Sequence, residues 1–308
     1  MVLIRLLSAL LLLLFHCNSF ADGQRITIGI APGLVDEAGI AQRFSSEGRA
    51  HLQFIHYFSE HQRDGLLVSG RLAHYQMFVM DHLMTRLVAE LDLLQPLPQQ
   101  VLANHSFNAC GVYGVPLVVN RLGILVNPIE AAPEIVSWRQ VFNPPEAYVN
   151  RLVLPLHSYD TVSAGLMALG YHPYSKVESQ HKALRELFKN TRSSLLANGT
   201  PYYQGKGQMN LTIGYPNQLE SLKSQSGDDN WQFVAPKEGV VEFYECLVVP
   251  KGQQLTPDLS ALLRSLPRYV PNNINPPKST QRYSVSGLNA LQIEERVQSL
   301  NDLEVLSK

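Results

Sequence analysis

Two side chains that could do chemistry, His157 and Asp160, stand between an apolar run and an apolar helix pattern in the segment Leu154–Tyr171 (LPLHSYDTVSAGLMALGY). A carboxylate at this place fits two roles. Asp is a common helix cap, because its side chain accepts hydrogen bonds from the first unpaired backbone N–H groups. The same carboxylate could instead bind a cation. The segment by itself leaves both roles open.

A second carboxylate raises the same question on a strand pattern. Glu245 alternates with Phe243, Leu247 and Val249 in VVEFYECLVVP, so these side chains share one strand face. A carboxylate on such a face is costly unless it is paired. Either an Arg or Lys of the protein or a bound amine must therefore pair with Glu245.

Motifs of the common enzyme classes are missing from the sequence. It contains no G-x-S-x-G, P-loop, H-E-x-x-H or C-x-x-C pattern. His51, His56 and His61 recur every five residues, a spacing that places them on one face of neither a helix nor a strand. We therefore expect a protein that is not an enzyme and that has neither a metal site nor a cofactor.

The N-terminal residues have the pattern of a secretory signal. The segment MVLIRLLSALLLLLFHCNSFA has one Arg, a leucine-rich run and the small-x-small sequence Ser19-Phe20-Ala21. The run Leu6–Phe15 is too short to span a bilayer as a retained anchor. We expect a mature chain Asp22–Lys308 outside the cytoplasm. The net charge of -1 gives no reason to expect a nucleic-acid partner.

Two cysteines, Cys110 and Cys246, remain after the predicted cleavage. An oxidising compartment permits a disulfide between them. Two separate buried thiols fit the sequence equally well, since free Cys behaves as a small hydrophobe. The sequence supplies no distance that would decide between the two.

Strand and helix patterns alternate along the chain and predict an α/β protein with largely parallel sheets. The strand patterns are RITIGI, HLQFIHYF, YQMFVM, YGVPLVVNRLGILVN, the run before His157, MNLTIGY and VVEFYECLVVP. The helix patterns include Asp36–Phe44, Asp81–Leu91, Thr161–Leu169, Lys182–Lys189 and a final amphipathic one from about Leu288 to Leu306. Pro116 favours an edge or a bend in its strand. Thr256 followed by Pro257 is typical of a helix start.

The segment SWRQVFNPPEAYVNRLVLPLHSYDTVSAGLMALGYHPYS resembles the central signature of extracellular polyamine-binding proteins of the spermidine/putrescine type. DLLQPLP, YGVPLVVNRLGILVN and PKEGVVEFYECLVVPKG resemble other segments of that family in the same order, so the likeness extends to about Arg268. The resemblance implies a type 2 periplasmic binding protein fold, with two α/β lobes joined by crossing hinge strands. It places a signal peptide at 1–21, the first lobe at 22–125, the second lobe at 126–244, a return to the first lobe at 245–279 and a C-terminal helical tail at 280–308.

The resemblance also implies a ligand site in the cleft between the lobes. In such a site carboxylates bind protonated amines and aromatic rings contact the methylene groups. The positions that match the family's ligand-binding positions are Asp160, Glu245, Tyr215, Phe243, His157 and Asp81. The chain departs from the family at two places. Pro32 and Val35 follow the first strand where the family has an aromatic pair, and His157 replaces an acid.

From this resemblance we expect a periplasmic solute-binding protein that closes on a polyamine-like cation by a hinge motion. Its membrane partner would be either the permease of an ABC importer or the periplasmic domain of a membrane receptor. In the second case the protein would be a sensor subunit that regulates a cyclic-di-GMP enzyme. The sequence leaves both roles open.

Overall fold

The computed structural model describes residues 25–58, 60–103, 109–155, 159–191, 194–198, 208–265 and 282–284. His157 and the predicted signal peptide lie outside these ranges, as does the predicted tail apart from its residues 282–284. None of the helices within the ranges has the length and apolar composition needed to cross a membrane.

The first lobe alternates strands with helices. Its strands are β1 (Arg25–Ile30), β2 (His51–His56) and β3 (Met77–Asp81), and its helices are α1 (Glu37–Ser46), α2 (Glu60–Val68), α3 (His82–Glu90) and α4 (Gln99–Leu102). β1 lies between β2 and β3 and runs parallel to both. Parallel strands end at the same edge of a sheet, so the segments that follow β1, β2 and β3 meet there.

The second lobe repeats this plan. Its strands are β5 (Leu152–Leu154), β6 (Leu195–Asn198), β7 (Leu211–Gly214) and β8 (Gln232–Val234), and its helices are α5 (Trp138–Phe142), α6 (Tyr159–Ala168), α7 (Glu178–Thr191) and α8 (Leu219–Ser226). β5 lies between β6 and β7 and is parallel to both. Trp138, Phe142 and Tyr148 are fully buried at the centre of this lobe.

Two long strands, β4 (Gly114–Val126) and β9 (Val240–Val248), cross between the lobes. They are antiparallel to each other, β9 is antiparallel to β3, and β4 is antiparallel to β7. The strand order is β2-β1-β3-β9-β4-β7-β5-β6. The prediction of largely parallel sheets is therefore right within each lobe and wrong at the centre, where the chain crosses and returns.

At Pro116 the described strand that pairs with β4 is β9, because β7 and β8 pair only with Gly123–Val126 of β4. The pairing with β9 also shifts register between Pro116 and Val118. A proline has no N–H to donate to the ladder, so it fits an edge or an irregularity of this kind. The predicted edge and the predicted bend are thus both confirmed.

After β9 the chain returns to the first lobe. Helix α9 (Pro257–Ser265) packs Leu259, Leu262 and Leu263 into the first lobe's core. The backbone N–H of Leu259 donates to the Thr256 hydroxyl oxygen at 3.2 Å, as the predicted helix start requires. A short strand, β10 (Arg282–Ser284), runs parallel to the first residues of β9.

Cys110 and Cys246 are joined by a disulfide, with a Cα–Cα distance of 5.8 Å. Of the two arrangements that the sequence left open, the structure has the covalent pair. The bond ties the segment before β4 to the middle of β9. It therefore lies beside the strands that carry the connection between the lobes.

Candidate ligand-binding site

A cavity of about 120 Å³ lies between the lobes, beside the crossing strands. The first lobe lines it with the segments that follow β1, β2 and β3, and the second lobe lines it with the turn after β7. The lining residues are Ala31, Pro32, Leu34, Tyr57, Phe58, Arg63, Asp81, Asn120, Tyr215, Asn217, Gln218, Phe243 and Glu245. The structure thus brings four of the six predicted site residues, Asp81, Tyr215, Phe243 and Glu245, to one cavity.

Glu245 lines the cavity from β9. It is directly opposite Asp81 in the antiparallel pairing of β9 with β3, so two carboxylates face the same space. Burial, and next the negative charge of Asp81, raise the pKa of Glu245 to about 7. The positive charge of Arg63 and a hydrogen bond from Asn120 act in the opposite direction. Near neutral pH the Glu245 carboxyl is therefore partly protonated and partly ionised, and a bound cation would favour the ionised form.

Asp81 already has strong partners within the protein. Its Oδ1 accepts the backbone N–H groups of Leu83 and Met84 at 2.9 Å, so it caps α3. Its Oδ2 accepts from Nη1 of Arg63 at 3.0 Å, and both side chains are almost completely buried. Asp81 thus fixes the start of α3 and holds Arg63 in the cavity wall. Its charge is largely balanced before any ligand arrives.

Asp160 lies behind Tyr215 rather than on the cavity surface. The Tyr215 hydroxyl donates to both carboxylate oxygens of Asp160 at 2.8 Å, and Asp160 is 6% exposed. Asp160 is the second residue of α6, where the helix dipole also favours a negative charge. A tyrosine oxygen that donates its proton in this way can also accept hydrogen bonds.

Aromatic rings form the apolar part of the wall. Phe243 is fully buried and packs edge to face against Tyr215, with ring centroids 5.9 Å apart. From the first lobe, Tyr57 is held by a hydrogen bond of its hydroxyl to the Val79 carbonyl at 2.9 Å. Phe58 is 56% exposed and lies at the edge of the cavity. Aromatic faces of this kind attract cations and cover methylene groups.

The lobes touch at Asn217. Its side chain accepts from Nδ2 of Asn120 at 3.1 Å and donates to the Pro32 carbonyl at 3.3 Å. Gly33 has a φ of 75°, and a Cβ at this position would lie 2.7 Å from the Asn217 carbonyl oxygen. The absence of a side chain at Gly33 is therefore what allows the second lobe to approach this closely.

The charges around the cavity are unequal. Among the described residues, the charged groups that line it are Arg63, Asp81 and Glu245, and Asp160 lies directly behind Tyr215. Arg63 balances Asp81. Within the described ranges, three carboxyl groups, Asp81, Asp160 and Glu245, thus lie in or directly behind a lining with one guanidinium, that of Arg63, so the cavity favours positive charge.

Sequence reasoning missed several lining residues. Tyr57 and Phe58 supply the aromatic rings that the segment after β1 lacks, and Pro32 and Leu34 line the cavity there instead. The signal for Tyr57 and Phe58 was their place at the end of the strand pattern HLQFIHYF, at the edge where α/β proteins bind ligands. Arg63 had no local signal, because its role comes from its pairing with a distant carboxylate.

The described residues contain no group of three or more His, Cys, Asp or Glu side chains that could hold a metal ion. His157 falls outside the described ranges, so its predicted place in the cleft stays a prediction.

No protein-family model and no curated protein sequence matches this chain. Solved structures resemble it over most of its length. A putative spermidine/putrescine ABC transporter from Listeria monocytogenes has a TM-score of 0.69 at 14% identity, covering 92% of this chain and 99% of that chain. The spermidine/putrescine substrate-binding protein PotD from Streptococcus pneumoniae has a TM-score of 0.66 at 16% identity, covering 93% of this chain and 100% of that chain.

Solved structures of binding proteins for other ligands are also similar to this chain. A periplasmic thiamin binding protein has a TM-score of 0.67 at 10% identity, covering 93% of this chain and 97% of that chain. Likeness at these identities concerns the fold and leaves the ligand open. The predicted fold class is confirmed, and so is the resemblance in fold to proteins of the spermidine/putrescine-binding type. The chain has the two-lobed α/β fold of the periplasmic binding proteins.

Proposed function

We propose that this protein is a periplasmic solute-binding protein that closes on a small cationic amine and presents it to the permease of an ABC importer. The observation that carries the proposal is the charge of the cavity. Among the described residues, three carboxyl groups, Asp81, Asp160 and Glu245, lie around one guanidinium, that of Arg63, beside an aromatic wall between the two lobes. A desolvated ammonium needs charge-assisted acceptors of this kind.

Two of these groups, Glu245 and Asp160, act on the amine in different ways. Glu245 contacts an ammonium directly from the cavity wall and becomes fully ionised when it does so. Asp160 acts through Tyr215: it accepts the hydrogen bond of the Tyr215 hydroxyl, and the Tyr215 oxygen accepts a hydrogen bond from the ammonium. The rings of Tyr57 and Phe243 cover the carbon chain of the ligand.

The size of the cavity favours a short ligand. An engineered protein cavity of about 150 Å³ holds benzene, which has about six non-hydrogen atoms. The present cavity of about 120 Å³ is of that order. Putrescine also has about six non-hydrogen atoms, whereas spermidine is longer by an aminopropyl group, so we propose a putrescine-sized diamine as the preferred ligand.

We expect the lobes to close on the ligand because the residues that line the cavity come from both lobes and from a crossing strand. Glu245 and Phe243 lie on a crossing strand, Tyr57 and Asp81 come from the first lobe, and Tyr215 comes from the second. A ligand that touches all of them stabilises the arrangement in which the lobes meet at Asn217, which is how a ligand shifts a hinge equilibrium.

Transport is proposed in preference to signalling because the similar structures include substrate-binding proteins of ABC transporters. The extracytoplasmic location is supported by the signal pattern in residues 1–21 and by the disulfide, which forms and persists in oxidising compartments. A solute-binding role also fits a chain that lacks enzyme motifs.

Isothermal titration calorimetry on the mature chain at pH 8 tests the proposal, with putrescine, spermidine, norspermidine and spermine as ligands. 1,4-Butanediol serves as the matched control, because it has the same length as putrescine without the charges. We expect one putrescine per chain, weaker binding of the longer amines and no binding of the diol. Equal binding of putrescine and the diol, or no heat with any amine at millimolar concentration, would contradict the proposal.

A further inference from the structure

A cation of the protein itself lies in the wall of the proposed amine cavity. In the part of the chain that the structure describes, the cationic side chain in the lining is that of Arg63, which belongs to α2 and is 6% exposed. A buried charge is costly unless it is paired and hydrogen-bonded. The partners of Arg63 therefore decide whether it stays in the wall when an amine enters.

Two carboxylates hold Arg63 in place. Its Nη1 donates to Oδ2 of Asp81 at 3.0 Å, and its Nε donates to Oδ1 of Asp64 at 3.0 Å. The Asp64 side chain is 48% exposed, so it holds the guanidinium from the solvent side. Asp81 is fixed in turn, because its other oxygen accepts two backbone N–H groups at the start of α3. The guanidinium is thus fixed between two acids.

Asp81 has the properties of an ammonium site that a side chain of the protein already fills. It lines the cavity, it is almost completely buried, and its Oδ2 contacts a cation. A guanidinium and an ammonium both offer charge-assisted N–H donors to a carboxylate. Arg63 therefore takes the place beside Asp81 that an additional ammonium of a longer polyamine would take.

The Arg63 side chain also occupies the space that a longer amine needs. Beyond its Cβ it has about six non-hydrogen atoms, whereas the aminopropyl group by which spermidine exceeds putrescine has about four. Charge adds to this exclusion. The positive charge of Arg63 acts on Glu245 and opposes the rise of its pKa, so a further ammonium at this end of the cavity would meet a like charge nearby.

We propose that Arg63 determines the specificity of the cavity: it fills the acid site at Asp81 as a tethered cation and restricts the ligand to a short diamine. This role rests on the proposed amine function and adds which residue limits the length of the ligand. Without the Arg63 side chain, a triamine can place its aminopropyl group in the space that is left and its terminal ammonium at Asp81.

Calorimetric titration of the mature chain and of Arg63→Ala with putrescine and spermidine tests this role. Arg63→Lys is the matched control, because it keeps a cation and most of the side-chain volume beside Asp81. We expect the wild-type chain to bind putrescine more tightly than spermidine. The ratio of spermidine affinity to putrescine affinity should rise at least about tenfold in Arg63→Ala and stay within about threefold of wild type in Arg63→Lys.

The double variant Arg63→Ala/Asp81→Asn separates charge from space. It leaves the same room in the cavity and keeps a capping side chain at the start of α3, but it removes the acid. We expect the rise in the affinity ratio to be lost. A rise that persists in the double variant would show that space alone sets the preference, and the filling of an acid site would be wrong.

An unchanged ratio in Arg63→Ala, or equal affinities of the two amines for the wild-type chain, would overturn the role of Arg63 while amine binding stands. No binding of any amine to the wild-type chain would overturn the proposed function, and this role with it. If Arg63→Ala is unfolded alone, millimolar spermidine should restore the far-UV circular dichroism of the wild-type chain and putrescine should not. No recovery with spermidine would overturn the proposal.

Discussion

The hydroxyl of Tyr215 donates to both carboxylate oxygens of Asp160 at 2.8 Å, so the buried charge of Asp160 reaches the cavity through the oxygen of Tyr215. The position of Asp160 in the first turn of α6 means that it also favours the helix start. The two roles that the sequence left open for Asp160, helix start and cation site, are thus compatible at one carboxylate.

Replacing Asp160 by Asn separates these roles. Asn has nearly the same shape and keeps an oxygen for the Tyr215 hydroxyl, so the free energy of unfolding should fall only by the roughly 0.3–1 kcal/mol of the charge–dipole interaction, and the melting temperature should change little. The negative charge is lost, and we expect amine affinity to fall about 10- to 100-fold, equivalent to roughly 1.5–3 kcal/mol. Calorimetry and thermal unfolding of the same sample check both expectations. Unchanged affinity would leave helix stabilisation as the only role of Asp160.

Ligand binding should release protons from Glu245. Its pKa of about 7 makes the carboxyl about half protonated at pH 7, and an ammonium beside it lowers that pKa. We expect about half a proton released per ligand at pH 7, and weaker binding as the pH falls below the pKa. Titration at pH 7 in two buffers that differ in ionisation enthalpy counts the protons. Glu245→Gln is the control and should release none; release that persists in this variant would place the proton elsewhere.

The same carboxyl should affect stability without ligand. Its folded pKa is raised from 4.5 to about 7, so the unfolded chain loses the proton at lower pH than the folded chain does. The free energy of unfolding therefore falls as the pH rises from about 4.5 to about 7, by at most about 3 kcal/mol. Urea unfolding at pH 5 and pH 8 measures this. Glu245→Gln should lack this loss and gain relative stability at pH 8; parallel pH profiles of the two proteins would contradict the assignment.

Gly33→Ala should weaken ligand binding more than it weakens the fold. Alanine at a left-handed φ costs about 1 kcal/mol. Its Cβ would also meet the Asn217 carbonyl oxygen across the cleft at 2.7 Å, which opposes closure. Gly48→Ala is the matched control, since Gly48 has a φ of 70° and no atom within 4 Å of a Cβ. We expect similar melting temperatures for the two variants and an affinity loss of about tenfold for Gly33→Ala alone. Equal affinities would show that closure does not need this contact.

The disulfide predicts both a thiol count and a stability effect. The denatured, unreduced mature chain should contain no free thiol, because Cys110 and Cys246 are bonded to each other. The bond links residues 136 positions apart, and replacing both by Ala should lower the free energy of unfolding by roughly 2–4 kcal/mol. Two thiols per chain, or equal stability of the double variant, would contradict the pairing.

Local patterns predicted most of the fold. The apolar alternation of RITIGI gave β1 at its observed bounds, and Thr256 with Pro257 gave the start of α9, because side-chain periodicity and capping depend on neighbouring residues. Glu245 was recognisable as a carboxylate on a buried strand face for the same reason. The pairing of Asp81 with Arg63 had no local signal, since it depends on the packing of α2 against β3.

The sequence by itself determined the strands, the helices and the acidic residues available for a site. Only the tertiary structure decided the protonation and the pairing of each of those carboxyl groups. Burial, and next the register of β9 against β3 that puts Glu245 opposite Asp81, raise the pKa of Glu245. Arg63 pairs with Asp81, and the turn after β7 places Tyr215 in front of Asp160. Charge state depends on burial and on the distance to other charges. Those quantities are set by contacts between residues far apart in the chain, which no pattern of neighbouring residues records.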